Sequence, residues 1–435
     1  MLTNFEMKMK PNIVILVIDA LRPKNMSLFG YKKETDKNIK NLANEAILFT
    51  QHISTSNSTT PSLTSLFTGK YPKNNGIIHQ FPYIKPEEIE KLKEEKFWLP
   101  VYLNSKGYDT IGIDWIGLWF KRGFNYYEEK EDKPKGFLNN ERVRKLLLSL
   151  PSWTYKLGKK LIKKRASASF PPVEKTIELA IDKIKNSNKP FFLFMHLWDT
   201  HFPFPTTQNP ENSYEKDMEK IIENIKEDSQ KEYVKKRIAD INIKSSQGII
   251  DKYDLAVKNV DANLGKLIDF MKHNEMWENT LFIVLGDHGD SLTEHGIYFS
   301  HSGLYDESIH VPLIMKIPKL KGKKINELVQ NVDIAPTILE ILGDKQKLEF
   351  DGKSLMPLIK NGKKIRKFAF SNDGLAENIS SIRTKNRKLI ISKDSKCHLC
   401  KSNHHIQKEE YDLIKDGNEL DNIYSENSKL EKKLE

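Results

Sequence analysis

From Ile13 to Ile18 the chain runs through six consecutive apolar positions, mostly β-branched, and stops at Asp19. An apolar run that short, with no polar alternation, predicts a strand buried on both faces of a parallel sheet. Four more segments read as strands: Asp109–Ile113, Phe191–His196, Leu281–Leu285 and Val311–Met315. Helical spacing of apolar residues falls between them, for instance over Pro61–Phe67 and Ile249–Asn274. Strands alternating with helices over this length predict an α/β fold, a mostly parallel sheet covered on both sides. In such sheets function gathers at the carboxyl ends of the strands.

Two stretches depart from that texture. Residues 205–248 are strongly polar and predict an inserted helical excursion with little core, and a second insertion is expected near 120–185. From about residue 361 short β-like pieces (Lys367–Ser371, Ile379–Thr384, Lys388–Ser392) precede a polar tail. The expected organisation is therefore a main unit over 1–360 and a small C-terminal antiparallel subdomain over 361–435.

Composition adds that 38% of the 435 residues are hydrophobic and 30% charged, enough for a core under a well-solvated surface. No run approaches the ~20 apolar residues needed to cross a bilayer, and the early apolar run lacks the flanks of a signal peptide, so a cytoplasmic protein is expected. Cys397 and Cys400 are too few for a disulfide framework. The formal charge is +11, but nine Lys or Arg and no acid lie between Arg142 and Arg165, so the basicity is local. Leucines and aromatics interleave with those cations. The segment reads either as surface helices packing their leucines inward or, over 142–165, as a peripheral contact with an anionic membrane. It carries no nucleic-acid recognition motif, and no nucleic-acid partner is expected.

Candidate chemistry begins with Asp19, at the end of the first strand, either a metal ligand or a helix cap. Gly286-Asp287-His288-Gly289-Asp290 ends a second strand, and two acids and a histidine among glycines suggest side chains that converge on a cation. Ser58-Thr59-Thr60-Pro61 reads as a helix start, with Thr60 or Thr59 near the cap. Such hydroxyls either cap the helix alone or, beside a metal, furnish a nucleophile near backbone N–H groups able to bind an anion. Spacing leaves both readings open.

The order of these motifs resembles the sulfatase family of the alkaline phosphatase superfamily. It is carried by Pro11-Asn12-Ile13-Val14 through Asp19, the Thr/Ser-rich turn that leads to Thr68-Gly69-Lys70-Tyr71-Pro72, Asp287-His288-Gly289, Tyr305-Asp306-Glu307-Ser308, Val311-Pro312-Leu313-Ile314 and Asp333-Ile334-Ala335-Pro336-Thr337, and by Gly352-Lys353-Ser354-Leu355 and Tyr411-Asp412-Leu413 near the C-terminus. The resemblance implies an alkaline-phosphatase-like three-layer sandwich and an enzyme, a hydrolase or transferase acting on sulfate or phosphate esters. It implies one divalent metal held by Asp19, Asp287 and His288, with Thr59 completing the shell as nucleophile. His201, in a His-x-Pro element, is implied as general acid or contact to the transferred group. His301 stands where many members hold a lysine against the anion, while His295 resembles a loop landmark outside the site.

The sequence also departs from the family. True sulfatases carry a Cys or Ser, oxidised to formylglycine, two residues before a proline and then Ser-Arg; here Thr59 precedes Pro61-Ser62-Leu63. Nor is the family's Gly-Lys-Trp-His segment matched, the corresponding stretch being Gly112-Ile113-Asp114-Trp115. A threonine nucleophile is similar to that of phosphodiesterases and phosphotransferases of the superfamily, which form a phosphothreonine. Phosphoryl chemistry is therefore the first expectation. The alternatives are a sulfatase without formylglycine and a catalytically silent member with a binding role. An aspartate–histidine pair favours manganese or zinc over calcium or magnesium. The substrate is expected to be a small-molecule, glycan or lipid-linked ester, with oligomeric state undetermined. Outside the family pattern, Cys397 and Cys400 with His404 and His405 either chelate a separate structural zinc or form a reduced hairpin tip.

Overall fold

The structure, a computed structural model, describes residues 10–128, 171–187, 190–206, 210, 214–344, 346, 348–393, 396–426 and 428–434. The basic segment 142–165 lies outside the described residues. The strands are β1 (Asn12–Ile18), β2 (Ile47–Ile53), β3 (Asp109–Ile113), β4 (Tyr126–Glu128), β5 (Phe191–Leu197), β6 (Thr280–Gly286), β7 (Leu313–Lys316), β8 (Lys323–Gln330), β9 (Ala369–Asn372), β10 (Ile379–Arg383), β11 (Arg387–Ser392) and β12 (Lys408–Asp412).

Among the described residues, eight of these form one sheet in the order β4-β3-β5-β1-β6-β7-β2-β8. From β4 through β6 the neighbours are parallel, and β7 runs antiparallel to both β6 and β2. The unbroken apolar run of β1 has a direct cause. Ile13, Ile15 and Val17 pack on one face with the Thr59–Thr68 and Ile334–Ile341 helices. Val14, Leu16 and Ile18 pack on the other with the Val173–Lys185 and Ser246–His273 helices. A strand covered on both sides has no position left for a polar residue.

The second sheet, β12-β11-β10-β9, is antiparallel. Its Ala369, Ile379, Ile390 and Tyr411 join Ile53, Leu304, Tyr305, Ile309 and Leu328 in one buried cluster, so it packs against the main sheet. Lys388 on β11 is wholly buried there, with its ammonium 3.0 Å from Asp306 and 2.6 Å from Glu419.

Four strands were not anticipated: β2, β4, β8 and β12. The apolar positions of β2 are interrupted by Thr50, Gln51 and His52, and β8 is half exposed with lysines at its start, so neither gives a continuous apolar signal. The inserted stretch also has more core than its polarity suggests. Met218, Ile222, Ile225 and Val234 are buried in the main cluster, on or beside the Met218–Asn224 and Asp228–Ile241 helices.

Candidate active site

Four adjacent parallel strands, β3, β5, β1 and β6, deliver the central side chains at or just beyond their carboxyl ends: Asp114, His196, Asp19 and Asp287. Register explains the meeting. Ile18 pairs with Leu197 on one side and with Gly286 on the other, so Asp19 and Asp287 emerge side by side, with His196 two residues lower on β5.

Asp287, His288 and His196 are each held by one atom and present another. Asp287 Oδ1 accepts the backbone N–H of His288 at 2.8 Å and of Ala20 at 3.3 Å, which leaves Oδ2 for the centre. His288 Nδ1 donates to the carbonyl of Gly289 at 2.7 Å, so its Nε2 carries the lone pair. That Nε2 lies 3.1 Å from Thr59 Oγ1, 3.4 Å from Asp19 Oδ1 and 3.6 Å from Asp287 Oδ2. His196 Nδ1 donates to Asp114 Oδ1 at 2.9 Å, and Tyr127 donates to Asp114 Oδ2 at 2.7 Å. His196 Nε2 is thereby turned to within 3.6 Å of Asp19 Oδ2 and 3.8 Å of Asp287 Oδ2. Among the described residues, no hydrogen-bond partner meets either oxygen of Asp19, Asp287 Oδ2 or His196 Nε2, although all are buried.

Burial first, and then the carboxylates of Asp287, Asp290 and Asp114, push the Asp19 carboxyl well above its ordinary range. Buried like charges without compensation are costly. Two carboxylates and two imidazole nitrogens converging on one point, with Asp287, His288 and His196 each fixed by an outer hydrogen bond, match the chemistry of a divalent-cation site. The residues Asp19, Thr59, Asp287 and His288 are thus brought together, and His196 and Asp114 join them. Sequence reasoning had placed His196 inside a strand and passed over Asp114 as a departure from the family pattern. A histidine near the carboxyl end of a buried strand beside Asp19 was the available signal.

Thr59 opens the Thr59–Thr68 helix, with Ser58 rather than Thr59 or Thr60 as the cap residue. Beyond Thr59 itself, the first amides of the helix are not free for a substrate oxyanion. Thr60 N–H donates to Gln80 Oε1 at 2.8 Å, Pro61 has none, and Ser62 N–H donates to the Ser58 carbonyl. Gly289 owes its identity to crowding, since a Cβ there would lie 2.0 Å from the Glu307 carbonyl oxygen. The tight turn it permits brings Asp287 and His288 to the centre together.

Two more histidines border the cluster. His301 stacks on His288 with centroids 4.4 Å apart and donates from Nδ1 to the Asn57 carbonyl at 2.6 Å. Burial, then the neighbouring His288 and His201, hold it well below its usual pKa. The His201 ring centre lies 6.1 Å from that of His301, and its Nδ1 donates to the Phe202 carbonyl at 2.7 Å. Burial, then the charge of Arg237, bring His201 down to about 4. Arg237 comes from the inserted Asp228–Ile241 helix, lies 4.4 Å from the Phe202 ring and donates to Tyr233 Oη, an approach no local pattern announced. His295, by contrast, stacks on Tyr305 and faces Glu307 away from the cluster.

Residues 11–344 match the sulfatase family, and residues 293–435 match the family described as N-sulphoglucosamine sulphohydrolase, C-terminal. The chain belongs to the sulfatase family. As a sulfatase-family member it is an ester-bond hydrolase with an alkaline-phosphatase-like fold. It is 24% identical over 506 aligned positions to an N-acetylglucosamine-6-O-sulfatase of Bacteroides thetaiotaomicron, covering 98% of this chain and 85% of that protein. A sulfatase of Formosa agariphila is 25% identical over 383 positions, 82% of this chain and 74% of the relative. Among solved structures, the phosphonate monoester hydrolase of Agrobacterium radiobacter superposes with a TM-score of 0.65 at 17% identity, covering 98% and 94% of the two chains.

Proposed function

We propose that this sulfatase-family hydrolase is metal-dependent, uses Thr59 as a covalent nucleophile and prefers phosphorus esters, phosphate or phosphonate, to sulfate esters. The observation that carries the reading is Thr59 Oγ1 lying 3.1 Å from His288 Nε2, the same atom that lies 3.4 Å from Asp19 and 3.6 Å from Asp287. Asp19, Asp287, His288 and His196 would hold the cation, and two imidazoles favour manganese or zinc. When bound there, a divalent cation lowers the pKa of the Thr59 hydroxyl and offsets the charge of an anionic ester.

The Thr59 oxygen, its proton given up to solvent water, bonds to phosphorus as the bond to the leaving oxygen breaks. His201 is neutral in the free site, with Nδ1 donating to the Phe202 carbonyl and Nε2 carrying the lone pair. An anionic ester arriving beside it favours the imidazolium, so the proton enters with the substrate and passes to the leaving alkoxide. Water then attacks the phosphothreonine, gives its proton to neutral His201 and releases Thr59. His301 and Arg237 face the transferred group in place of the occupied helix amides. Threonine supports this preference chemically: it cannot become the aldehyde hydrate from which sulfatases expel sulfate, whereas phosphothreonine is open to in-line attack by water.

The likeness to a glycan sulfatase over nearly the whole chain favours a second reading, a sulfate ester of a sugar as substrate. One panel separates the two: 4-nitrophenyl sulfate, phosphate monoester, phosphodiester and phosphonate monoester, assayed on metal-stripped protein with Mn, Zn, Mg or Ca restored. The proposal expects the phosphorus esters to turn over fastest, with Mn or Zn. Faster turnover of the sulfate ester overturns it.

A further inference from the structure

A second cluster of metal-competent side chains lies outside the catalytic centre. Cys397 and Cys400 are 2% and 4% exposed, free of any disulfide, and His404 joins them. Their ligand atoms all lie within 4.8 Å of one another, and Cys400 Sγ is 2.9 Å from His404 Nε2. Tetrahedral zinc with bonds of about 2.3 Å to sulfur and 2.0 Å to nitrogen needs ligand atoms about 3.5 Å apart, which small side-chain adjustments reach from here.

The backbone is already arranged for it. Lys401 N–H donates to the Cys397 carbonyl at 2.9 Å, and Lys401 sits at φ +64°, so the chain after Cys400 reverses and both sulfurs stay on one side of the turn. The Leu399 amide points at Cys397 Sγ from 3.4 Å. His405 is engaged elsewhere, with Nε2 accepting the Leu304 N–H at 3.0 Å and Nδ1 facing Glu409.

We propose that Cys397, Cys400 and His404 bind a zinc ion, with solvent in the fourth position, that clasps the C-terminal subdomain to the loop carrying His301. The turn sits where such a clasp would act. Cys397 Sγ is 3.1 Å from Ser302 Oγ, next to His301. Ser402 Oγ is 3.3 Å from Ser229 Oγ on the helix that bears Arg237, and Tyr233 of that helix packs on the cysteines. Three separate segments therefore meet at this turn, the C-terminal subdomain, the His301 loop and the Arg237 helix, while the three ligands themselves all come from the turn.

The test uses the full chain loaded with cobalt(II), whose thiolate charge-transfer band in the near ultraviolet reports sulfur ligands and is blind to the oxygen and nitrogen ligands of the catalytic centre. The band is expected in the wild type, unchanged in Asp287→Asn and lost in Cys400→Ser. His404→Ala is expected to weaken zinc by about tenfold or more in competition with a chromogenic chelator. Because Cys400→Ser could impair folding, a mercurial titration of the wild-type thiols should release zinc in proportion to thiol consumed. Absence of the band in the wild type, no zinc released by the mercurial, or a Cys397–Cys400 disulfide in freshly purified protein would each overturn the proposal. None of these results depends on which ester the enzyme cleaves.

Discussion

Asp114 accepts a hydrogen bond from His196 Nδ1 across 2.9 Å and so decides which nitrogen of that imidazole faces Asp19 and Asp287. A carboxylate behind a metal-facing histidine fixes both its ring orientation and its tautomer. Asp114→Asn should therefore lower affinity for the divalent cation by about 10- to 100-fold while leaving the fold intact. Metal content after dialysis against graded chelator reads this directly, and unchanged affinity would place His196 outside the shell.

Thr59→Ala should retain metal and lose turnover by about a thousandfold or more, because the remaining groups bind the ester without a nucleophile. Thr59→Ser keeps a hydroxyl at the same place and should keep measurable activity. Quenching the wild type during turnover and weighing the intact chain should reveal the phosphoryl adduct, absent from Thr59→Ala.

The role of His201 shows in its dependence on the leaving group. With an alkyl leaving group, which must be protonated to depart, His201→Asn should cost about 10²- to 10⁴-fold in kcat. With 4-nitrophenolate, stable as an anion, the same variant should lose far less. Equal losses on both would assign His201 to binding and not to proton transfer.

Lys388 is buried between Asp306 and Glu419. Lys388→Met should destabilise the chain by about 3–5 kcal/mol, since it leaves buried Glu419 without its cation, whereas Asp306 keeps Arg383 at 2.8 Å. Thermal unfolding measures this. The double variant with Glu419→Gln should recover part of the loss.

Glu294 pairs with Arg22 close to the catalytic loop. Burial alone would raise its carboxyl, but Arg22 outweighs that and holds it down to about 2. A carboxyl lowered in the folded state stabilises the fold above its ordinary value near 4.5, and that contribution is lost as pH falls towards 2. The stability gap between wild type and Glu294→Gln should therefore be full at pH 7 and close progressively between about pH 4.5 and 2.

The sequence by itself determined the sheet's central strands, because residues buried on both faces leave an apolar run that no partner is needed to recognise. It also determined that Asp19, Asp287 and His288 stand at strand ends and that a helix starts within Ser58-Thr59-Thr60-Pro61, since those placements follow from local chain order. Only the tertiary structure decided that His196 and Asp114 belong with them. Their contribution comes from the parallel register of β3, β5, β1 and β6, a relation among residues up to 268 positions apart that leaves no periodic trace in any one segment. Arg237 reaches His201 for the same kind of reason: a polar helix remote in sequence is carried over the strand ends by the few apolar residues it buries. Whether an amide at a helix start is free for a substrate is likewise a matter of which side chain lies across from it, and Gln80 answers that at Thr60 only once the chain is folded.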